Sequence, residues 1–345
     1  MTINKVLFRV DGTPQIGSGH IIRSVALAQA LKSQGAEIEF LSFCPWPHIK
    51  DYIVQQGFKL NPFPYSEREL GSQKDLEILV NEIKNGFDWV VLDNYHFELN
   101  YQKAVKQAGA RLLVIDDTAE RSFNCDLLLN HGLQAKTLKY DSNNDHRLLL
   151  GTEFALIRQE LLKEMPSVKS SAKHVLVTLG GGNQSDTLKK IIEALGQVKI
   201  KGLSIKVLSG FSENFDCQGR SNIEMIKPAF DLSSIYKSTD FAICAGGGTA
   251  WELCYFGIPG IVGVLADNQV ESVEEVSKAG AFQSIGWYRD IPAEKITKAV
   301  ENLLTDLNKL SAMRKKAVQL VDGKGPQRII KAMQEVESEI SQSRK

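Results

Sequence analysis

The chain is 345 residues long, 43% hydrophobic and 24% charged, an ordinary globular composition that excludes a fibrous repeat or wholesale disorder. Its 41 lysines and arginines equal its 41 acidic residues, so no global positive field gathers nucleic acid or an anionic membrane surface, and any anion must be bound locally. The length is about twice that of a common single domain, so two domains are expected.

Short apolar runs alternate with longer amphipathic stretches, the pattern of parallel strands covered by helices on both faces. Strands are predicted at 6–10, 38–43, 89–93, 112–116 and 127–130, with crossover helices at 21–34, 76–85 and 100–108. Residues 163–173, polar and containing Pro166, Ser167, Ser170 and Ser171, read as a linker. The alternation restarts with strands at 175–179, 205–209, 241–245 and 260–264 and helices at 187–196, 249–256 and 270–279. The C-terminal stretch reads as helices, with 338–345 as a polar, fraying end. A Rossmann-like N-terminal domain over 1–162, a Rossmann-like C-terminal domain over 174–325 and a helix and tail over 326–345 follow, with the ligand expected between the two halves.

Five scattered cysteines, Cys44, Cys125, Cys217, Cys244 and Cys254, form no C-x-x-C pair and read as reduced core residues rather than disulfides or zinc ligands. The N-terminus enters an apolar strand without a signal-like flank, and no apolar run approaches the roughly 20 residues of a membrane helix. A cytoplasmic protein without stable membrane insertion is expected.

The first strand leads into Asp11-Gly12-Thr13-Pro14-Gln15-Ile16-Gly17-Ser18-Gly19-His20 and then a helix carrying Arg23. Gly17 and Gly19 permit positive φ and close backbone approach, and the first N–H groups of the helix offer partial positive charge to an anion or developing oxyanion. The third glycine of the dinucleotide fingerprint is missing and Ser42-Phe43-Cys44 ends strand two without an acid, so NAD is not expected. His20 stands where a neutral imidazole able to accept a proton is favoured; a loop-capping histidine is the alternative. Asp11 either orients His20, binds a sugar hydroxyl or serves the turn. Asp93-Asn94-Tyr95-His96 ends the strand at 89–93 and is predicted to face the same ligand, with a helix-capping turn as the alternative. Asp116-Asp117-Thr118 ends the next strand, but no third ligand accompanies the paired acids and no metal is assigned.

In the second half Leu179-Gly180-Gly181-Gly182-Asn183 and Ala245-Gly246-Gly247-Gly248-Thr249-Ala250-Trp251-Glu252 follow strands. Gly246, Gly247, Gly248 and Thr249 are expected to lay a pyrophosphate on a helix start, and Glu252, one turn inside, to accept hydrogen bonds from ribose hydroxyls. Tight helix–sheet packing is the other reason for three glycines.

Together these segments resemble known proteins. Gly17-Ser18-Gly19-His20, the run from Gly246 to Pro259 and Asp267-Asn268-Gln269 resemble the GT-B architecture of the lipid II-forming N-acetylglucosaminyltransferase. Phe8-Arg9-Val10-Asp11, the stretch from Ile16 to Arg23, Leu92-Asp93-Asn94-Tyr95, Ile115-Asp116-Asp117, the stretch from Gly151 to Arg158 and Asp322-Gly323-Lys324-Gly325 are more similar to the UDP-sugar hydrolase family of pseudaminic acid biosynthesis. The resemblance implies an α/β GT-B fold, two Rossmann-like domains with a nucleotide-sugar cleft between them, the C-terminal one binding UDP. It implies hydrolysis of UDP-2,4-diacetamido-2,4,6-trideoxy-β-L-altropyranose to UDP and the free sugar, with C–O cleavage and inversion and without metal or cofactor. His20 would then be the base for water, with Tyr95 and Asp11 beside it in the catalytic set. Gly17, Gly19, Arg23, Asp93, Asn94, Gly181, Gly182 and Gly246 to Thr249 would bind substrate, with Glu252 on the ribose and Asn268 and Gln269 at the donor sugar or its phosphate. His96, where the family carries a small residue, and the Gly246 to Gly248 run, closer to the transferase, depart from the hydrolase pattern. A UDP-sugar substrate, no nucleic acid and a monomer are expected. The alternatives are a GT-B glycosyltransferase with a UDP-sugar donor and a hydrolase of a related UDP-deoxyaminosugar.

Overall fold

A computed structural model describes residues 3–140, 146–162, 172–181, 184–208, 222–226 and 229–343. The first sheet is built from β1 (Lys5–Val10), β2 (Glu37–Ser42), β3 (Lys59–Pro62), β4 (Trp89–Asp93), β5 (Arg111–Ile115), β6 (Leu127–Asn130) and β7 (Arg147–Leu150). Every pairing is parallel, in the order β3-β2-β1-β4-β5-β6-β7. Helices α1 (Gly19–Ser33), α2 (Pro47–Gln55), α3 (Gln73–Ile83) and α4 (Leu99–Gln107) connect the strands. The central strands are buried on both faces, which is why they read as unbroken apolar runs. Leu7, Val90, Leu92, Leu112 and Val114 of one face pack with Leu79 and Ile83 of α3 and Val105 of α4.

The second sheet holds β8 (His174–Thr178), β9 (Ser204–Leu208), β10 (Ile223–Ile226), β11 (Phe241–Ala245), β12 (Gly260–Val264) and β13 (Phe282–Trp287) in the parallel order β10-β9-β8-β11-β12-β13. Its helices are α5 (Ser185–Gly196), α6 (Ser233–Ser238), α7 (Gly248–Tyr255), α8 (Val270–Lys278), α9 (Ala293–Thr305) and α10 (Leu307–Leu320). Val175, Val177, Phe241 and Ile243 of the strands form a core with Ile191 and Leu195 of α5 and Ile296 and Val300 of α9.

The chain forms two compact units, one comprising residues up to Gln159 together with those from Lys324 onward, the other Glu160–Gly323. The last helix, α11 (Gly325–Ser343), therefore belongs with the first unit and is not a separate tail. It packs on α1, and Arg328 Nη1 donates to the Glu153 carbonyl at 2.8 Å. At its first residue a Cβ would fall 2.2 Å from the Ala155 carbonyl oxygen, so only glycine fits at Gly325. The helix continues through Ser343, past the fraying end expected from residue 338. Most of the expected linker, residues 163–171, lies outside the described residues.

The predicted strands and helices are present with ends shifted by up to three residues, while β3, β7, β10, β13, α2 and α6 were not predicted. Cys44, Cys125, Cys244 and Cys254 are buried and free; Cys217 lies outside the described residues. Both sheets reverse their strand order once, between β1 and β4 and between β8 and β11. Loops leaving the carboxyl ends of strands at such a switch point diverge to opposite faces and open a crevice for ligands.

Candidate functional site

At the first switch point, the loop between β1 and α1 is closed by the Gly17 N–H donating to the Thr13 carbonyl at 2.8 Å, with Gly17 at φ +72°. Ser18 precedes α1 without a side-chain cap, and no acidic residue occupies the first turn. The leading N–H groups of α1 are thus left for an external acceptor. A Cβ at Gly19 would meet nothing within 4 Å, so packing does not require this glycine.

His20 follows on α1. Its Nδ1 lies 2.7 Å from Asp93 Oδ1, at the end of β4. Arg23 Nη2 also approaches Nδ1, at 3.0 Å, and both contacts cannot be hydrogen bonds to the same neutral ring nitrogen. A carboxylate only accepts, so Nδ1 carries the proton and donates to Asp93, while Arg23 Nη2 points at the same carboxylate oxygen 2.6 Å away. In the neutral ring Nε2 is then the lone-pair nitrogen, and it has no hydrogen-bond partner among the described residues. The tautomer suits a general base.

Asp93 is fully buried and saturated: Oδ1 accepts from His20 and Arg23 Nη2, and Oδ2 from Arg23 Nε at 2.7 Å and Ser24 Oγ at 3.1 Å. Burial opposes its charge, but Arg23 and His20 overcome this and hold the carboxyl far below its usual range. Arg23 reaches the other way with Nη1 to Asp117 Oδ1 at 2.6 Å, and Asp117 Oδ2 accepts from the Tyr95 hydroxyl at 3.0 Å. Desolvation works against Arg23 as a cation, yet Asp117 and Asp93 raise its affinity for the proton well above normal. Tyr95 stands edge-on to His20, ring centroids 5.1 Å apart. Arg23 and Asp93, expected on the substrate, bond to each other, Asp93 also to His20 and Arg23 also to Asp117. Asn94 uses Oδ1 to accept from the Tyr95 N–H at 2.7 Å, and its Nδ2 is sealed from solvent, so it shapes the turn. His96 also has its Nε2 sealed away.

Asp11 does not orient His20. Its Oδ1 takes Arg9 Nη1 at 2.5 Å and the Phe43 N–H at 2.7 Å. Arg9, mid-strand in β1 and fully buried, also forks onto Asp75 at 2.9 and 2.7 Å and lies over the Phe63 and Phe97 rings. A buried guanidinium must be paired, and Asp11 is one of its partners. Asp116, similarly, accepts from the Thr118 and Ala119 N–H groups at 3.1 and 2.7 Å and holds a turn in which Ala119 has φ +57°.

One residue of this cluster escaped the sequence reading. His131 directly follows β6, is buried, and accepts from the Leu156 N–H through Nδ1 at 3.2 Å. Burial, with Arg23 adding to it against Asp117 and Asp93, lowers its pKa from 6.5 to about 4. The rule that singled out Asp93 and Asp116, position at the carboxyl end of a strand, applies equally to His131.

At the second switch point, Gly181 lies exposed beyond β8, and Gly182 lies outside the described residues. After β11, a Cβ at Gly246 would fall 2.4 Å from Val273 Cγ2 of α8, so this glycine serves packing. Gly247 and Gly248 face open space, and α7 starts there without a side-chain cap or acidic first turn. Thr249 is half-buried on its first turn. Glu252 is buried one turn on, accepting from the Tyr236 hydroxyl at 2.8 Å. Gln269 packs beside Gly246 and accepts from the Leu265 N–H at 3.1 Å, while Asn268 is exposed.

MurG of Acinetobacter baumannii matches the chain with a TM-score of 0.71, over 96% of this chain and 99% of its own, at 16% identity. The chain has the GT-B fold. Residues 172–333 of this GT-B protein match the glycosyltransferase family 28 C-terminal domain, a stretch that takes in the glycine turn and Glu252 and leaves out the His20 cluster. The UDP-2,4-diacetamido-2,4,6-trideoxy-beta-L-altropyranose hydrolase of Campylobacter jejuni is 29% identical over 200 residues, covering 57% of this chain and 67% of its own. The spore coat polysaccharide biosynthesis protein SpsG of Bacillus subtilis is 22% identical over 339 residues, 94% of this chain and 96% of its own. No helix among the described residues is long and apolar enough to cross a membrane.

Proposed function

We propose that this GT-B protein is a nucleotide-sugar hydrolase that cleaves UDP-2,4-diacetamido-2,4,6-trideoxy-β-L-altropyranose to UDP and the free sugar. The observation that carries the reading is His20, whose Nδ1–H is fixed on Asp93 and whose Nε2 has no hydrogen-bond partner among the described residues. The similarity to the Campylobacter hydrolase supports the substrate.

Water gives its proton to His20 Nε2 while its oxygen bonds to the anomeric carbon. The bond from that carbon to the diphosphate oxygen breaks, the electron pair leaves with UDP, and the configuration inverts. Arg23, Asp93 and Asp117 sum to one negative charge, which suits a reacting sugar carbon that becomes electron-poor and disfavours phosphate there. Binding of UDP falls to the second unit, where the bare N–H groups of α7 and the open faces of Gly247 and Gly248 suit a diphosphate. Glu252 and Thr249 are assigned to the nucleoside and phosphate, Asn268 and Gln269 to the donor sugar or its phosphate, and no metal or cofactor enters the reaction.

Incubating the protein with the donor alone in ¹⁸O-water, followed by NMR and mass spectrometry, tests this. Stoichiometric free sugar carrying the label on its anomeric oxygen is expected; label in the phosphate would overturn attack at carbon. His20→Ala is expected to keep UDP affinity and to reduce turnover by about 10²–10⁴-fold. The family 28 match favours a second reading, a glycosyltransferase, and strict dependence of UDP release on an added acceptor would establish it.

A further inference from the structure

We propose that His131 is a second ligand-contacting histidine of the first unit, a fixed neutral donor whose Nε2–H binds an uncharged oxygen of the sugar, a hydroxyl or an acylamino carbonyl. The inference rests on the reading that a sugar nucleotide presents its sugar to the His20 cluster. The placement comes from the backbone. His131 leaves the carboxyl end of β6, and its backbone is pinned on one side by Asn130, whose Oδ1 accepts from the Gly132 N–H at 2.8 Å. The Leu156 N–H points into Nδ1, so that nitrogen is the unprotonated one and the proton of the neutral ring sits on Nε2. Nε2 has no hydrogen-bond partner among the described residues, and it is not one of the polar atoms sealed from solvent, so its proton faces accessible space.

His20 and His131 thus sit in one charge cluster in opposite tautomers. In His20 the protonated nitrogen is tied to Asp93 and the lone pair is free; in His131 the lone pair is tied to Leu156 and the proton is free. Both act on each other electrostatically and on Arg23, Asp93 and Asp117. The burial that keeps His131 neutral bars it from the role of base, because its only available ring atom is already an N–H. It also bars it from holding phosphate as a cation would. An uncharged oxygen remains the matching acceptor.

Side-chain NMR of ¹⁵N-histidine protein reads the proposal without mutation. The ligand-free protein should show His131 as the Nε2–H tautomer, unchanged between pH 8 and 6. Adding UDP-N-acetylglucosamine, or the altropyranose donor on the His20→Ala background, should shift that resonance, while UDP alone should not. His131→Phe, which keeps a ring without a donor, should lower kcat/KM for the altropyranose donor by about 10–100-fold. UDP affinity and the pH dependence of kcat/KM should stay as in the parent, and His131→Asn, which restores an N–H, should recover part of the loss. An Nδ1–H tautomer, an equal response to UDP alone, or a moved pH profile in His131→Phe would each overturn the assignment. If no donor yields free sugar, the hydrolase reading falls, but the NMR response to sugar nucleotide against UDP still decides the role of His131.

Discussion

Where the first sheet reverses, between β1 and β4, the chain buries charge: Asp93 accepts four hydrogen bonds, and Arg23 bridges it to Asp117. Where the second reverses, between β8 and β11, it leaves glycines facing open space before an uncapped helix. The same topology therefore supports two kinds of site. A group that must hold a proton at one chosen nitrogen needs its partners saturated and immobile, because an alternative hydrogen bond would release the other tautomer. A diphosphate needs only unoccupied N–H groups and room, which small residues supply.

Replacing Asp93 by Asn strikes the first arrangement hardest. The amide can accept as well as donate, so His20 is no longer confined to the Nδ1–H form, and Arg23 loses half of its charge pairing. Turnover is expected to fall by about 10³–10⁴-fold with UDP affinity retained, as read by steady-state kinetics and calorimetry. A fall in UDP affinity of similar size would erase the division of labour between the two regions.

Acid provides a second way to separate them. His131 has a folded pKa of about 4 against 6.5 for a free histidine, so between these values the unfolded chain binds a proton that the folded one refuses. Stability from this residue is whole above pH 6.5 and declines as the pH falls toward 4, by roughly 2–3 kcal/mol. Asp93, held below its normal range, adds a loss only when the pH drops below about 4. Urea midpoints of the parent and His131→Gln at several pH values should diverge across the upper window; parallel curves would show that His131 is not kept neutral.

The smallest contrast lies inside the glycine run itself. Gly246→Ala drives a methyl against Val273 and is expected to lower stability by about 1–3 kcal/mol. Gly248→Ala meets no atom, so stability should hold or rise by less than about 1 kcal/mol while UDP binding weakens about tenfold. Equal effects at the two positions, by melting and by titration, would mean that the open face of Gly248 has no ligand.

The legible parts of the fold were those whose physics is local. Strands such as β4 and β6 are buried on both faces and read as apolar runs, and α1 follows a glycine loop that announces it. The missed β3 is an edge strand, polar and half-exposed, ending at Pro62, so its residues carry no apolar signature. In the site, His20 was singled out by the glycine loop that opens α1, and Tyr95 because strand ends face ligands. Asp11 was left open between orienting His20, binding a sugar hydroxyl and serving the turn, since nothing in the sequence reveals that Arg9, in the strand just before it, turns inward and captures it. Long-range pairing of a buried cation with Asp75 and Asp11 is settled by tertiary packing, beyond the reach of periodicity.

The seat of α11 has a consequence for how the protein is made. A ribosome completes the whole of the second unit before it delivers this helix, yet the helix closes onto residues near Phe154 and Ala155 that emerged long before. During synthesis the earlier-born half waits with that apolar seam uncovered, while the later-born half lacks nothing. Released chains that end at Lys324 should accordingly be cut by protease in their N-terminal portion first.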